Sequence, residues 1–399
     1  MQVFSVSLEL PEFEVVKQGF HKDFLQLYVE KITDKERCSY CGFITESVHD
    51  WRTKKVRDLP VLGKPLYLIV KVKRFRCHNC GETFSQSFDS IGTNKRQTNR
   101  YREHLYNLCI GSTIQDVSRK EKVPYTTLER IFYSVAKEKE NKRMEQLEYS
   151  LEKNGLVLSI DEIAVRKGHQ YETVLMNART GRVIGMEQHR TFKSTQTLLS
   201  AGILTNKHVH TVIIDMWEPY HKAVKSVFPE ACIVIDKYHV VQKVTRALDQ
   251  VRKNLSGVKK ARFKLLKSYE TLTLSEKLQL DKMIEENLDL TYAYFLKELF
   301  RDFYRSPDFD TAVLLLEEWI DLAMSSPFPS FHQVAKTIRK WKAHILQYFL
   351  TPYTNGRIEG TNHKIKNIKR RSFGFRNLKR FRLRVFLECT GKTHINKVA

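Results

Sequence analysis

Hydrophobic residues recur along this chain with two periods, and the places where one gives way to the other divide it into stretches. Alternation of apolar and polar side chains, the mark of a half-buried strand, runs through Phe20-His-Lys-Asp-Phe-Leu-Gln-Leu-Tyr-Val-Glu30, and a hairpin is expected from Val56 to Phe75. From Thr98 to Glu148 the spacing lengthens to that of helices, through Tyr101, Leu105, Leu108, Ile114, Val117, Val123, Leu128, Ile131 and Val135. A turn at Val123-Pro124 separates two of these helices, the second expected to be capped by Thr126 or Thr127. Short β-branched runs then predict strands at 156–165, Gln170–Ala178 and Val183–His189, with a turn at Arg179–Arg182. Next come a helix Ser194–Leu204 with Ser194 as its cap, a strand from His208 ending at Asp215, a helix 218–228 and a strand Ala231–Asp236. Three antiparallel strands followed by two that alternate with helices describe a mixed sheet. From Val240 to Phe349 the pattern is helical, broken at Ser306-Pro307 and Ser326–Pro329, with its own core expected from Phe295, Leu299, Phe303, Leu314, Leu315, Trp319 and Ile320. The expected boundaries are 1–92, 93–150, 151–239, 240–350 and 351–399.

Charge changes the picture. The 399 residues are 42% hydrophobic, enough for packed cores, and carry 68 Lys and Arg against 45 Asp and Glu, a net charge of +23. That imbalance favours a polyanionic partner, with nucleic acid the first expectation. No apolar run reaches the roughly 20 residues of a membrane helix, and Met1-Gln2-Val3 opens without a signal-peptide pattern, so a cytosolic location is expected.

Two CxxC pairs, Cys38-Ser-Tyr-Cys41 and Cys77-His-Asn-Cys80, supply four thiolates, the number a tetrahedral structural Zn²⁺ takes. Between them, Trp51 to Arg76 holds nine Lys or Arg and one acidic residue, Asp58, a composition suited to phosphate contact. Cys109, Cys232 and Cys389 lack such partners and are expected as core thiols. The stretch from Thr113 through Phe132 resembles a helix-turn-helix, in which Tyr125, Thr126, Thr127 and Arg130 after the turn would face the major groove. An ordinary helical hairpin has the same pattern.

The run Leu156-Val-Leu-Ser-Ile-Asp161-Glu-Ile-Ala-Val165 sets two carboxylates into an apolar strand, which is costly unless a cation or hydrogen bonds compensate them. A second strand ends at Asp215 and a third at Asp236, followed by His239, where a helix cap and a role beside a metal are both open. Later, Thr354-Asn-Gly-Arg-Ile-Glu359-Gly-Thr-Asn362-His363 opens a helix on which Glu359, Asn362, His363 and Lys366 share a face. After it, Thr361 to Leu387 contains no acidic residue but carries Lys364, Lys366, Lys369, Arg370, Arg371, Arg376, Lys379, Arg380, Arg382 and Arg384, a track suited to DNA phosphates.

The strings IDEIAVRKGHQY, IIDMWEPY, VIDKYHVVQK and TNGRIEGTNHKIKNIKRRSFGFRNLKRFRLR resemble those of the DDE transposases of bacterial insertion sequences, in the ISL3 family, and the resemblance covers nearly the whole chain. It implies an α+β multidomain protein: a zinc-binding unit and a helix-turn-helix, then an RNase H-like catalytic core with a helical insertion. It further implies Asp161, Asp215 and Glu359 as a triad holding Mg²⁺ or Mn²⁺, with Asp236 and His239 accessory. The implied partners are double-stranded DNA at element ends and target, and further copies of the chain assembled on it. A transposase-derived regulator without chemistry and an RNase H-like nuclease without strand joining are the alternatives.

Overall fold

The computed structural model describes residues 7–154, 156–166, 170–201, 209–255, 262–351, 353 and 356–390. Residues 167–169, 202–208 and Thr354-Asn355, which the sequence reading drew upon, lie outside them. The chain divides into two compact units, residues 1–141 and 142–399.

The first unit begins with β1 (Phe13–Phe20), β2 (Leu25–Lys31), β3 (Glu36–Arg37), β4 (Ile44–Thr45), β5 (Val48–Val61), β6 (Lys64–Arg76) and β7 (Thr83–Ser85). Its main sheet has the order β1-β2-β6-β5 with β7 on β6; β2 and β6 run parallel and the other pairs antiparallel. Alternation in β6 turns Leu66, Leu68, Val70 and Val72 into one core face, closed by Phe13, Val29 and Val56. The expected strand from Phe20 is displaced: exposed Phe20 ends β1, and the chain turns through Lys22-Asp23, closed by a His21 N–H to Phe24 carbonyl bond of 3.1 Å, before β2 starts. The hairpin expected from Val56 to Phe75 is β5 and β6, with the strands longer than expected.

Helices α1 (Asn99–Cys109), α2 (Ile114–Glu121) and α3 (Tyr125–Asn154) follow. Asp58, the lone acid of the basic hairpin, is fully buried and accepts bonds from Thr98 Oγ1 (2.7 Å) and Arg100 Nε (2.9 Å), tying β5 to the start of α1. Thr98 in turn caps α1, accepting from the Tyr101 N–H. The second helix of the pair is not capped by Thr126 or Thr127. Lys122 adopts the left-handed conformation (φ 52°), the Pro124 carbonyl already accepts the helical bond of Leu128 at 3.0 Å, and both threonines lie inside the first turn.

The second unit contains β8 (Leu156–Arg166), β9 (Gln170–Asn177), β10 (Val183–Gln188), α4 (Phe192–Leu199), β11 (Val209–Ile214), α5 (Glu218–Val227) and β12 (Cys232–Ile235). It continues with α6 (Lys237–Asn254), α7 (Arg262–Leu266), α8 (Leu274–Glu285), α9 (Leu288–Phe303), α10 (Phe309–Ser325), α11 (Pro329–Leu350), α12 (Gly356–Arg371) and α13 (Leu378–Glu388). The sheet order is β10-β9-β8-β11-β12, antiparallel as far as β8 and parallel beyond it. Helix α4 starts earlier than expected: Thr191 is its cap and Ser194 its reciprocal partner three residues on.

Period-two alternation gives β8 two apolar faces. Leu156, Leu158 and Ile160 join a cluster that runs without interruption through α5, α6 and α9 to α11, while Val157 and Ile163 join Ile358, Ile365, Ile368, Phe381 and Val385 of α12 and α13. The helical stretch after β12 therefore has no separate core, contrary to the sequence expectation; it shares one with the sheet. Within it Phe303, Trp319 and Ile320 are buried, but Phe295 and Leu314 are exposed, because their helix positions fall on the side turned from that shared core. Among the described residues no helix is long and apolar enough to cross a membrane.

Candidate active site and metal-binding cluster

The alternation that sends Leu158 and Ile160 to one side of β8 sends Asp161 to the other, toward α12. Asp215 follows the last residue of the neighbouring strand β11, and Asp236 follows β12. Asp161, Asp215 and His239 offer ligand atoms that all lie within 4.8 Å of one another. The His239 Nε2 stands 3.3 Å from Asp215 Oδ1 and 3.7 Å from Asp236 Oδ2. Asp236 also caps α6, accepting from the Tyr238 N–H at 3.2 Å.

Helix α12 reaches this cluster through Asn362, which is buried and whose Nδ2 donates to Asp161 Oδ2. The Asn362 Oδ1 is buried with no partner among the described residues. Glu359, one turn earlier on α12, is exposed and does not join the group that Asp161, Asp215 and His239 form. His363 is exposed as well.

Burial is the largest cause pushing the Asp215 carboxyl up to about 8, and the charges of Asp161, Asp236 and Glu162 add to it. Burial also raises Asp161, against the opposing pull of the Glu162 N–H, His239 and Asn362. Adjacent half-buried carboxylates favour a cation or a shared proton between them. Oxygen donors suit a hard divalent ion, and the orphaned Asn362 oxygen beside them is a further polar atom such an ion or its water can satisfy. Over the cluster opens a cavity of about 150 Å³ whose wall includes Glu162, Arg190, Trp217, Tyr220 and Lys243. Arg190 pairs with Glu162 at 2.9 Å and lies over the rings of Tyr171 and Trp217. Sequence reasoning missed Arg190 and Lys243, which come to the recognised carboxylates through folding, and passed over Trp217, two residues after Asp215.

The basic track divides in two. Arg371 and Arg384 both bind Glu388, the first acid after the track, and Arg382 binds buried Glu172 at 2.8 Å and Glu187 at 3.2 Å. Lys364 donates to the Glu388 carbonyl and Lys369 to that of Ala164. These cations hold α12 and α13 in place, so Arg371 does not stand in solvent as a phosphate contact would require. Lys366, Arg370, Arg376, Lys379 and Arg380 remain exposed.

In the first unit, Cys38, Cys41, Cys77 and Cys80 bring their sulfurs within 4.8 Å of one another. The Cys38–Cys80 and Cys41–Cys77 separations are 3.7 and 3.5 Å. A tetrahedron with Zn–S near 2.3 Å has edges of about 3.8 Å, so the four fit one structural zinc. Each pair is followed by a glycine, Gly42 (φ +77°) and Gly81 (φ +74°), whose N–H bonds back to the carbonyl of Cys38 or Cys77 at 2.9 Å. A side chain at either would be strained by the backbone angle. Hydrogen bonds from the Phe43 N–H and Asn79 bring the Cys41 thiol down to about 6. The flanking basic hairpin spends three of its cations internally, on Lys71–Glu30, Lys73–Asp34 and Arg74–Asp50 pairs. Cys109 and Cys389 are buried core thiols as expected, and half-buried Cys232 donates to Gln347 at 3.3 Å.

Beyond the turn, Tyr125, Thr126 and Arg130 are exposed, and Thr127 is half-buried. Thr127 and Arg130 border a cavity of about 390 Å³ with Lys95, Arg96 and Arg102.

Comparison with known proteins matches three family models: the ISL3 transposase over residues 158–385, the zinc-finger of transposase IS204/IS1001/IS1096/IS1165 over 34–80, and the helix-turn-helix domain of transposase family ISL3 over 86–136. The transposase for insertion sequence element IS1001 of Bordetella parapertussis is 26% identical over 383 residues, 90% of each chain. That for IS1557 of Mycobacterium tuberculosis (strain CDC 1551 / Oshkosh) is 27% identical over 254 residues, 55% of this chain and 57% of that protein. The transposase match takes in both strand-end carboxylates, and the two smaller matches coincide with the four-cysteine cluster and the α1–α3 helices. This chain belongs to the ISL3 family of transposases.

Proposed function

We propose that the protein cuts and rejoins DNA strands at the ends of the insertion sequence that encodes it, by metal-dependent phosphoryl transfer on an RNase H-like core. The observation that carries the reading is the convergence of Asp161, midway along β8, and Asp215, just past the end of the neighbouring β11, with His239 within 4.8 Å, a half-buried pair of carboxylates that a divalent cation would neutralise. The order β10-β9-β8-β11-β12, with β8 central, is the one expected of that core.

In this reading Asp161 and Asp215 hold Mg²⁺ or Mn²⁺, and Glu359 on α12 is the third carboxylate. Bound there, the metal supplies an activated water or DNA 3′-hydroxyl and stabilises the leaving oxygen. Asn362 orients the Asp161 carboxylate, and His239, held between Asp215 and Asp236, is placed to carry a proton at Nε2. Residues 34–80 and 86–136 recognise terminal inverted repeats, with Tyr125, Thr126, Thr127 and Arg130 at the base edges. Lys366, Arg370, Arg376, Lys379 and Arg380 face phosphates.

The test is purified protein with Mg²⁺ and a duplex carrying the repeats that flank its gene. Nicking followed by strand joining, both abolished in Asp161→Asn and Asp215→Asn with DNA affinity retained, is the expected result. Near-normal cleavage by either variant removes that carboxylate from the site, and cleavage without joining makes the enzyme a nuclease.

A further inference from the structure

Beside the carboxylate cavity lies a second one, of about 230 Å³, between α6 and α11. Lys243 and Arg246 line both, so the two hollows are consecutive stretches of one groove. It starts at Asp215 and His239, passes Gln242, Lys243 and Arg246 along one face of α6, and ends between Gln250 and the Gln333 and Thr337 side chains of α11.

The groove joins two cations to a row of neutral polar side chains. Neither Lys243 nor Arg246 forms an ion pair or a hydrogen bond among the described residues, although carboxylates stand at the head of the groove. Beside the apolar Ala247 and Val334, the outer stretch offers the amides of Gln250 and Gln333 and the hydroxyls of Ser330 and Thr337, groups that bond phosphate and sugar oxygens without reading bases. Residues three apart on a helix carry their side chains side by side along its axis, with Cβ atoms roughly 5–6 Å apart, so the two cations can meet neighbouring phosphates of one strand. Two unpaired cations one helical step apart, open to a groove that begins at the carboxylate cluster, suit a polyanion that runs outward from it.

We infer that the α6–α11 groove binds the stretch of DNA strand contiguous with the scissile phosphate, Lys243 and Arg246 each neutralising a phosphate. The inference rests on the DNA-cutting function proposed above. It gives the helical stretch between β12 and α12 a part in holding substrate beside that of the basic track on α12 and α13.

The test compares a Lys243→Gln/Arg246→Gln double variant with a control of equal charge change, Lys222→Gln/Lys336→Gln, whose exposed side chains lie outside the groove. Affinity for an end-carrying duplex is titrated against salt. Losing two phosphate contacts makes the slope of log affinity against log salt shallower by roughly 1.4 to 1.8, at about 0.7 to 0.9 per phosphate, and the control leaves the slope unchanged. A second variant, Gln333→Glu/Thr337→Glu, places negative charge at the far end and should weaken binding at low salt. Equal slopes in groove and control variants, with full binding by the Gln333/Thr337 variant, overturn the inference. The salt slope decides the groove even where wild-type protein fails to cut, and that failure counts against the DNA-cutting function instead.

Discussion

Asp161 and Asn362 meet across 201 residues of chain, and their hydrogen bond is where α12 touches the carboxylate cluster. Asn362 positions rather than reacts, so Asn362→Leu should lower the nicking rate by about 10- to 100-fold, the usual cost of removing a group that orients a metal ligand. The Mg²⁺ concentration for half-maximal rate should rise while DNA affinity holds. A metal titration curve identical to wild type would show that Asp161 needs no such support. At this scale the sequence was legible where a residue contradicts its surroundings: Asp161 in an apolar strand, Asp215 at the end of another, cysteines in duplicate pairs. Glu359 came from family resemblance, and the structure leaves it exposed one turn before Asn362. The fates of Arg371 and Arg382 were not legible. Whether a cation is solvated or spent depends on Glu388 and Glu172, and nothing in a one-sided charge run announces a partner folded against it.

At the scale of elements, the strands and most helices follow from periodicity, and the errors fall at their ends. Ser194 and the Thr126-Thr127 pair look like caps by type, but the backbone of Thr191 and the turn at Lys122-Pro124 decide where the helices begin. A contact no pattern predicted joins α5 to α11: His221 Nε2 lies 3.1 Å from His344 Nε2. One ring must be neutral to accept the bond. Burial lowers the pKa of both below the ordinary 6.5, and Lys222 and Lys225 on α5 with Lys340 on α11 disfavour further charge, while Glu218 is already bonded to Lys340. The unfolded chain therefore binds more protons than the folded one once the pH falls below about 6.5. Stability is full above that pH and declines below it, toward the lowered folded values. Thermal unfolding of wild type and His221→Gln/His344→Gln at pH 7.5 and 5.5 should show a smaller acid loss in the variant. Equal losses would place the acid sensitivity elsewhere.

For the whole molecule, the helices between β12 and α12 and the sheet are one cooperative body because they share a core. Trp319 is fully buried at its centre, donating to the Leu296 carbonyl at 2.7 Å and packed 4.7 Å from the Phe300 ring. Trp319→Ala should cost about 3–5 kcal/mol, and hydrogen exchange should accelerate in β8 and β11 along with α9 to α11; acceleration confined to the helices would mean a separable domain. The sequence could not disclose this, since periodicity tells that Ile320 has an apolar face to bury but not whether a helix or a strand covers it. The placement of α12 and α13 on the opposite face has a consequence for synthesis. They leave the ribosome after every strand they cover, bringing Asn362 to a carboxylate already in place. A chain interrupted before Gly356, by frameshift or premature stop, keeps the whole 7–141 unit with its cysteine cluster and helix-turn-helix but lacks α12 and with it Asn362. On the function proposed above, such a product is expected to occupy element ends without opening them, so that breaks late in the gene would encode a competitor of the intact copies; gel-shift competition between the 1–355 fragment and the full chain on end DNA checks this.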